Sequence, residues 1–398
     1  MKRILLLFSA LFALQALPAQ EDFKVIGYLP YYRFGYNDQI EYERLTHLNL
    51  AFANPDMEGN LDLGGQDIDP IVASAKAEGV EVYISLAGGA LTDAWEQAWE
   101  HLMLPENRSA FIHKIMVYVE NHELDGIDFD LEWSHVNEKY SPFVLELRDS
   151  VTAHGLALTA ALPGTYRYPD ITDEALEAYD WINMMVYDLT GSWDPDNAGP
   201  HSPYSFALNA MFYWQGQGVP KSKLTLGVPF YGYDFGSTPV TAYRYGTIVD
   251  WNPDNAWVDQ VDEVYYNGIP TIVQKTELAM GQLSGVMMWE LGQDHFSELS
   301  LLRAIDETIN GVTAVADEES KALEVFPNPF QSVVTVANHS GQEVQYWVSN
   351  LNGQVLREQV LGAQGQRQLD LTELPSGFYL LTARMENGSR QSYKLVKP

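Results

Sequence analysis

The sequence predicts an α/β protein, a (β/α)8 barrel followed by a small all-β sandwich. Three observations carry that prediction. Eight strand-like segments alternate with helical patterns across residues 23–311, and most of the strands are near-continuous apolar runs. Such runs suit a parallel sheet whose outer side is covered by helices. The charge is uneven: the 398-residue chain carries a net −31, yet acids and bases nearly balance from Lys321 onward. Beyond Leu323 the segments become short, strand-like and separated by turn signals, which is the pattern of a small antiparallel sandwich.

In chain order, Lys2 and Arg3, the apolar run from Ile4 to Leu17, and Pro18-Ala19 read as a secretory signal peptide over residues 1–19. That run is short and interrupted by Gln15, so it does not read as a membrane span, and no other stretch is long enough. Residues 20–312 form the barrel. Its strands are expected at 25–28, 47–52, 81–85, 126–132, 157–161, 181–187, 224–229 and 285–289. Helices are expected at 69–77, 106–121, 138–152, 204–214, 270–280 and 298–310. Eight such units in this length fit a closed barrel. A doubly wound open sheet is the alternative, but no GxGxxG follows the first strand. A polar linker over 313–322 leads to the sandwich at 323–398. Its strands are expected at 333–336, 345–348, 367–371, 378–383 and 391–396. Asn352-Gly353, Pro375-Ser376-Gly377 and Asn387-Gly388 mark turns between them.

The composition narrows the function. A net charge of −31 argues against nucleic acid or an anionic membrane as partner. It suits a soluble protein acting on a neutral or cationic polymer. With no cysteine, an exported chain must rely on a large core instead of disulfides, and thiolate metal sites and cysteine nucleophiles are excluded.

The chemistry concentrates in Asp125-Gly-Ile-Asp128-Phe-Asp130-Leu-Glu132. With a side-chain period of two, Ile127, Phe129 and Leu131 face one way and Asp128, Asp130 and Glu132 the other. Burying acids about 7 Å apart on one face raises their pKa values, which keeps a carboxylic acid protonated near neutral pH. Glu132, nearest the opening, is the candidate general acid. Asp130 lies one pleat below it and Asp128 deeper. A calcium loop is disfavoured because the spacing lacks a central Gly and is filled with Ile, Phe and Leu. Catalytic groups of a barrel sit at the C-terminal strand ends. There Tyr187 and Asp188 follow the sixth strand, and Trp289 ends the eighth. A flat ring beside acids suits a sugar. Further aromatics crowd the loops at Tyr31, Tyr32, Phe34, Trp133, Tyr166, Tyr168, Trp193, Tyr231 and Tyr233, of which about half are expected simply to pack. His47 and His113 read as core or helix residues, and no metal site is expected.

These residues resemble glycoside hydrolase family 18, the chitinases. Asp125 to Glu132 matches the family's DxxDxDxE signature. Further matches are Gly27-Tyr28, Leu45-Thr-His-Leu-Asn-Leu-Ala-Phe52, Ser85-Leu-Ala-Gly88-Gly89, Met185-Val-Tyr187-Asp188 running on to Trp193-Asp194, Gly199-Pro-His-Ser-Pro203, Gly227-Val-Pro-Phe-Tyr-Gly232 and Trp289. The resemblance implies retaining hydrolysis of chitin or N-acetylglucosamine oligosaccharides without an enzyme nucleophile, a known exception to the two-carboxylate scheme. In it Glu132 protonates the glycosidic oxygen and later activates water. The substrate's 2-acetamido oxygen attacks C1, Asp130 stabilises the acetamido group, and Asp128 holds Asp130's alternative position. Tyr187 and Asp188 position the acetamido group and Trp289 forms the floor. Tyr28, Tyr231, Trp193 and Trp133 join as substrate-binding candidates. No cofactor is implied. Two departures stand out: Tyr233 replaces a frequent Arg, and Ala87 is an extra residue in Ser-x-Gly-Gly. The span 231–284 is short for the α+β module that many members insert, which implies an open cleft and internal cleavage. Alternatives are an endo-β-N-acetylglucosaminidase on N-glycans and a non-catalytic chitin-binding lectin.

In the tail, Val325-Phe-Pro-Asn-Pro-Phe330, Asn352-Gly353, Leu374-Pro-Ser-Gly377-Phe-Tyr-Leu380 and Lys394-Leu-Val-Lys397 resemble type IX secretion C-terminal sorting domains. That implies export through the periplasm to the cell surface or medium, with the type IX machinery as partner. An accessory carbohydrate-binding sandwich is the alternative.

Overall fold

Eight parallel strands close into a barrel in a computed structural model that describes residues 23–310 and, in the tail, 323–327, 330–349, 355–375, 377–384 and 390–397. The expected signal peptide, the linker and the turns at 352–353 and 387–388 lie outside the described residues. The barrel strands are Lys24–Pro30, His47–Pro55, Glu81–Ala87, Gly126–Asp130, Ala157–Pro163, Trp181–Met185, Leu224–Pro229 and Gly285–Trp289. Each pairs in parallel with the next. Lys24 opposite Gly285 closes the ring.

Side-chain alternation divides the interior in two. Outward residues such as Ile84, Ile127, Phe129 and Leu131 join Trp99, Phe111, Phe143 and Leu147 of the surrounding helices in the main core. Inward residues Ile26, Tyr28, Tyr83, Trp181 and Met287 fill the barrel itself. Burying an aliphatic or aromatic side chain of this kind contributes roughly 1.5–3 kcal/mol, and this double layer lets a chain without disulfides carry polar groups in its centre. Helix starts are marked locally: Thr92 and Ser300 accept hydrogen bonds from the first turns of Asp93–Leu102 and Leu301–Ile309, and Pro105 opens Pro105–Asn121.

The expected strands and helices recur with shifted ends. The fourth strand stops at Asp130 and the sixth at Met185, so Glu132 is not the last strand residue as the alternation suggested. It precedes a single 3-10 turn at Trp133–His135. Tyr187 and Asp188 likewise lie just beyond their strand. Helices Asp93–Leu102, Asp173–Ala178 and Tyr245–Trp251 were not foreseen. Between the seventh and eighth barrel strands, Tyr231–Asp234, Thr241–Arg244, Gln260–Val261 and Val264–Tyr265 form an antiparallel sheet. The insertion is therefore an α+β element built from strands of two to four residues.

The tail has its own core, including Leu323, Val334, Val336, Tyr346, Val348, Leu381 and Leu395. One sheet is Leu323–Phe326, Val333–Asn338 and Gln366–Asp370. The other is Val344–Ser349, Val355–Leu361, Gly377–Arg384 and Arg390–Lys397. Leu323–Phe326 and Val355–Leu361 were missed in the sequence. Leu-Arg-Glu-Gln-Val carries too few apolar residues to signal a strand, and this segment is an edge, which favours charge. No described helix is long and apolar enough to cross a membrane.

Candidate active site

At the centre of the barrel Asp128 is fully buried, and four donors from four different strands converge on it. Tyr28 Oη donates at 2.6 Å, Ser85 Oγ at 2.7 Å, Thr159 Oγ1 at 2.6 Å and Asn183 Nδ2 at 3.2 Å. Thr225 Oγ1 fixes the Asn183 amide by donating to its Oδ1 at 2.7 Å. Burial pushes the Asp128 pKa up and the four donors pull it back. Ser85 thus belongs to the site despite the extra Ala87. That residue turns left-handed at φ 76°, which brings Gly88 and Gly89 to the rim. A Cβ at Gly89 would collide with Glu132 Oε1, so glycine there leaves room for the acid. Thr159, Asn183 and Thr225 escaped the sequence reading. A short polar side chain inside an apolar strand was the available signal.

Asp130 is only 4% exposed, and its Oδ1 has no hydrogen-bond partner among the described residues. Burial first, then the charges of Glu132 and Asp128, raise its pKa well above the ordinary carboxylate range. Glu132 is pushed up to about 7 by burial and by Asp188. The Tyr187 hydroxyl, buried beside Asp130, Asp188 and Glu132, lies well above 10.0 and is a proton donor at any working pH. Unlike charges would relieve this cluster, but among the described residues no cation contributes to these shifts. The site is built to hold protons.

Asp188, at φ 61°, accepts from Tyr231 Oη at 2.5 Å and from Tyr233 Oη at 3.0 Å. Tyr233 therefore occupies itself with Asp188. Trp289 stacks on Phe52 at 5.5 Å and meets the edge of Tyr28 at 5.7 Å. Cis peptide bonds lie at Ala51-Phe52 and Trp289-Glu290. Trp133 is anchored by Nε1 donating to Gly89 O, and its backbone N–H bonds Tyr168 Oη, both at 3.0 Å. His47 packs against Tyr83 and Trp181 at the barrel floor, far from a ligand role.

Tyr28, Asp130, Glu132, Trp133, Tyr187, Asp188 and Trp289 line one cavity of about 400 Å³, with Phe52, Tyr31, Tyr32 and Trp95. A second, of about 410 Å³, shares Glu132, Trp133, Tyr187 and Asp188 and runs on past Tyr166, Tyr168, Leu189 and Phe206. Tyr231 stands behind Asp188. Trp193 lines neither cavity. It packs edge-on at 5.8 Å against Tyr233, the ring that donates to Asp188, and is 58% exposed.

Residues 324–397 match the model of a secretion system C-terminal sorting domain. Among known proteins, probable chitinase 10 of Drosophila melanogaster is 26% identical over 381 residues, covering 75% of this chain and 16% of its own length. A chitinase-like effector of Moniliophthora perniciosa is 28% identical over 248 residues, covering 53% of this chain and 55% of its own length. The chain thus spans little more than half, or much less, of these curated relatives. The crystal structure of a GH18 chitinase from the chitin utilization locus of Flavobacterium johnsoniae matches with a TM-score of 0.72 and 44% identity, over 74% of this chain and 96% of that one. Residues 24–294, which hold the whole cavity described above, match the model of glycosyl hydrolases family 18, and the chain belongs to that family.

Proposed function

We propose that this protein is a secreted chitinase that cleaves β-1,4 bonds between N-acetylglucosamine units with retention, using the substrate's own acetamido group as nucleophile. The observation that carries this reading is the stack of acids at one wall of the cavity. Glu132, pushed up to about 7, is protonated in a substantial fraction of molecules near neutral pH and lies at the rim, where a glycosidic oxygen can receive the proton. Beneath it, Asp130 offers an unpartnered oxygen in the same cavity. An acetamido N–H is a fitting donor for that oxygen, and the bond would turn the acetamido carbonyl oxygen toward C1. As that oxygen bonds to C1, the glycosidic bond breaks and the leaving oxygen takes the Glu132 proton. Tyr187 donates to the acetamido group and Asp188 steadies it, so the positive charge of the oxazolinium forms between acids already in place. Glu132, now ionised, takes a proton from water as the water oxygen bonds to C1; the bond between C1 and the acetamido oxygen breaks, which restores the acetamido group and releases the sugar with its configuration retained.

Trp289 supports the reading by offering a flat apolar floor. The sorting domain supports export of the enzyme. The test is a crystal structure of Glu132→Gln with an N-acetylglucosamine tetramer. The scissile oxygen is expected within about 3 Å of the side-chain amide at position 132, with the acetamido group between Asp130 and Tyr187. An oligomer bound elsewhere, or with that group turned to solvent, would refute the mechanism.

A further inference from the structure

Tyr187 and Asp188 lie beyond the end of the sixth barrel strand, in a loop that has to be held for them to act as a pair. The chain returns to them at His201-Ser202, and both residues are buried. Ser202 Oγ donates to Val186 O at 2.5 Å, immediately before Tyr187. His201 Nδ1 accepts a long bond, 3.5 Å, from the N–H of Asp188, immediately after it. His201 Nε2 faces Tyr231 O at 3.1 Å. A carbonyl oxygen only accepts, so Nε2 bears the proton and Nδ1 is left as acceptor. The segment therefore grips the backbone on both flanks of Tyr187.

Something must hold the grip, and it comes from the helix Ile269–Gln282. Lys275 is fully buried. Its Nζ donates to Ser202 O at 2.7 Å, Ser202 Oγ at 2.6 Å and Asn267 Oδ1 at 2.7 Å. Asn267 Nδ2 donates to the same Ser202 carbonyl at 3.0 Å. Three acceptors match the three N–H bonds of an ammonium and use all of them. We infer that Lys275 is a positioning residue for the reaction, locking His201-Ser202 so that Tyr187 and Asp188 present their side chains to the acetamido group together. Burial lowers the Lys275 pKa to about 7, and Asp259 opposes the shift. The cost of burying this charge argues that the lysine is kept for what it holds. A purely structural filler would be cheaper as methionine. The inference rests on the proposed roles of Tyr187 and Asp188.

The test compares the parent with Lys275→Met and Ser202→Ala, each checked for a cooperative melt. In Lys275→Met, kcat on N-acetylglucosamine oligomers is expected to fall about 10- to 100-fold, with KM within about two-fold. Amide hydrogen exchange is expected to quicken across 186–203 while the other barrel strands keep their protection. Ser202→Ala, a smaller deletion, is expected to show the same pattern at reduced size, and it decides the matter if Lys275→Met does not fold. A folded variant with kcat within about two-fold of the parent, or one whose exchange quickens evenly along the chain, overturns the inference. If the parent itself fails to turn over these oligomers, the proposed function falls, and the exchange pattern alone still decides whether the clamp exists.

Discussion

Glu132 shows at the residue scale how function is set against stability. Its ordinary pKa of 4.5 is raised to about 7 in the fold, so the folded protein binds this proton more tightly than the unfolded chain does. Below about pH 4.5 both states hold the proton and burial of the group costs nothing through titration. Between there and about pH 7 the unfolded state ionises first, and the fold loses up to ~3 kcal/mol. Glu132→Gln removes that penalty. Its melting temperature is expected to exceed the parent's at pH 8 and to match it near pH 4. Equal melting temperatures at pH 8 would mean that the fold does not raise the pKa of the acid. The three acids were legible in the sequence because alternation alone turns them from the core. Their donors were not: Thr159 and Asn183 become ligands of Asp128 only when strands far apart in the chain are brought together.

At the scale of elements, the strands were legible because each is a continuous apolar run, buried on both faces by the closed barrel. Their ends were less so. The hydrophobic pattern runs on through Leu131 and Val186, which remain buried although the backbone has already left the sheet. The small insertion also escaped, because strands of two to four residues carry no readable period. Its size has a consequence for the cleft, which continues on both sides of Glu132 into two cavities and leaves room for a polymer to cross the mouth. Early products from long soluble chitin are therefore expected to be a spread of oligomers, with a rapid fall in viscosity. Disaccharide as the main early product, at constant viscosity, would contradict internal cleavage.

At the scale of the whole molecule, the division of charge and the division of fold coincide. The barrel residues carry almost all of the −31, while the tail is nearly neutral and packs its own core of Leu323, Val336, Leu381 and Leu395. Under the proposed function, a neutral polymer would feel little of this acidic charge, and its binding would rest on the aromatic rings and hydrogen-bonding groups that line the two cavities. Trp193 meets Tyr233 at 5.8 Å, and Tyr233 in turn donates to Asp188.

In the proposed reaction one protonated acid at the barrel mouth, Glu132, begins the chemistry. Turnover of N-acetylglucosamine oligomers by Glu132→Gln, beside the parent and with folding checked, tests it most directly. A loss of at least about 100-fold in kcat is expected, with a cooperative melt at or above the parent's temperature. A folded variant that keeps activity within about ten-fold of the parent would contradict it.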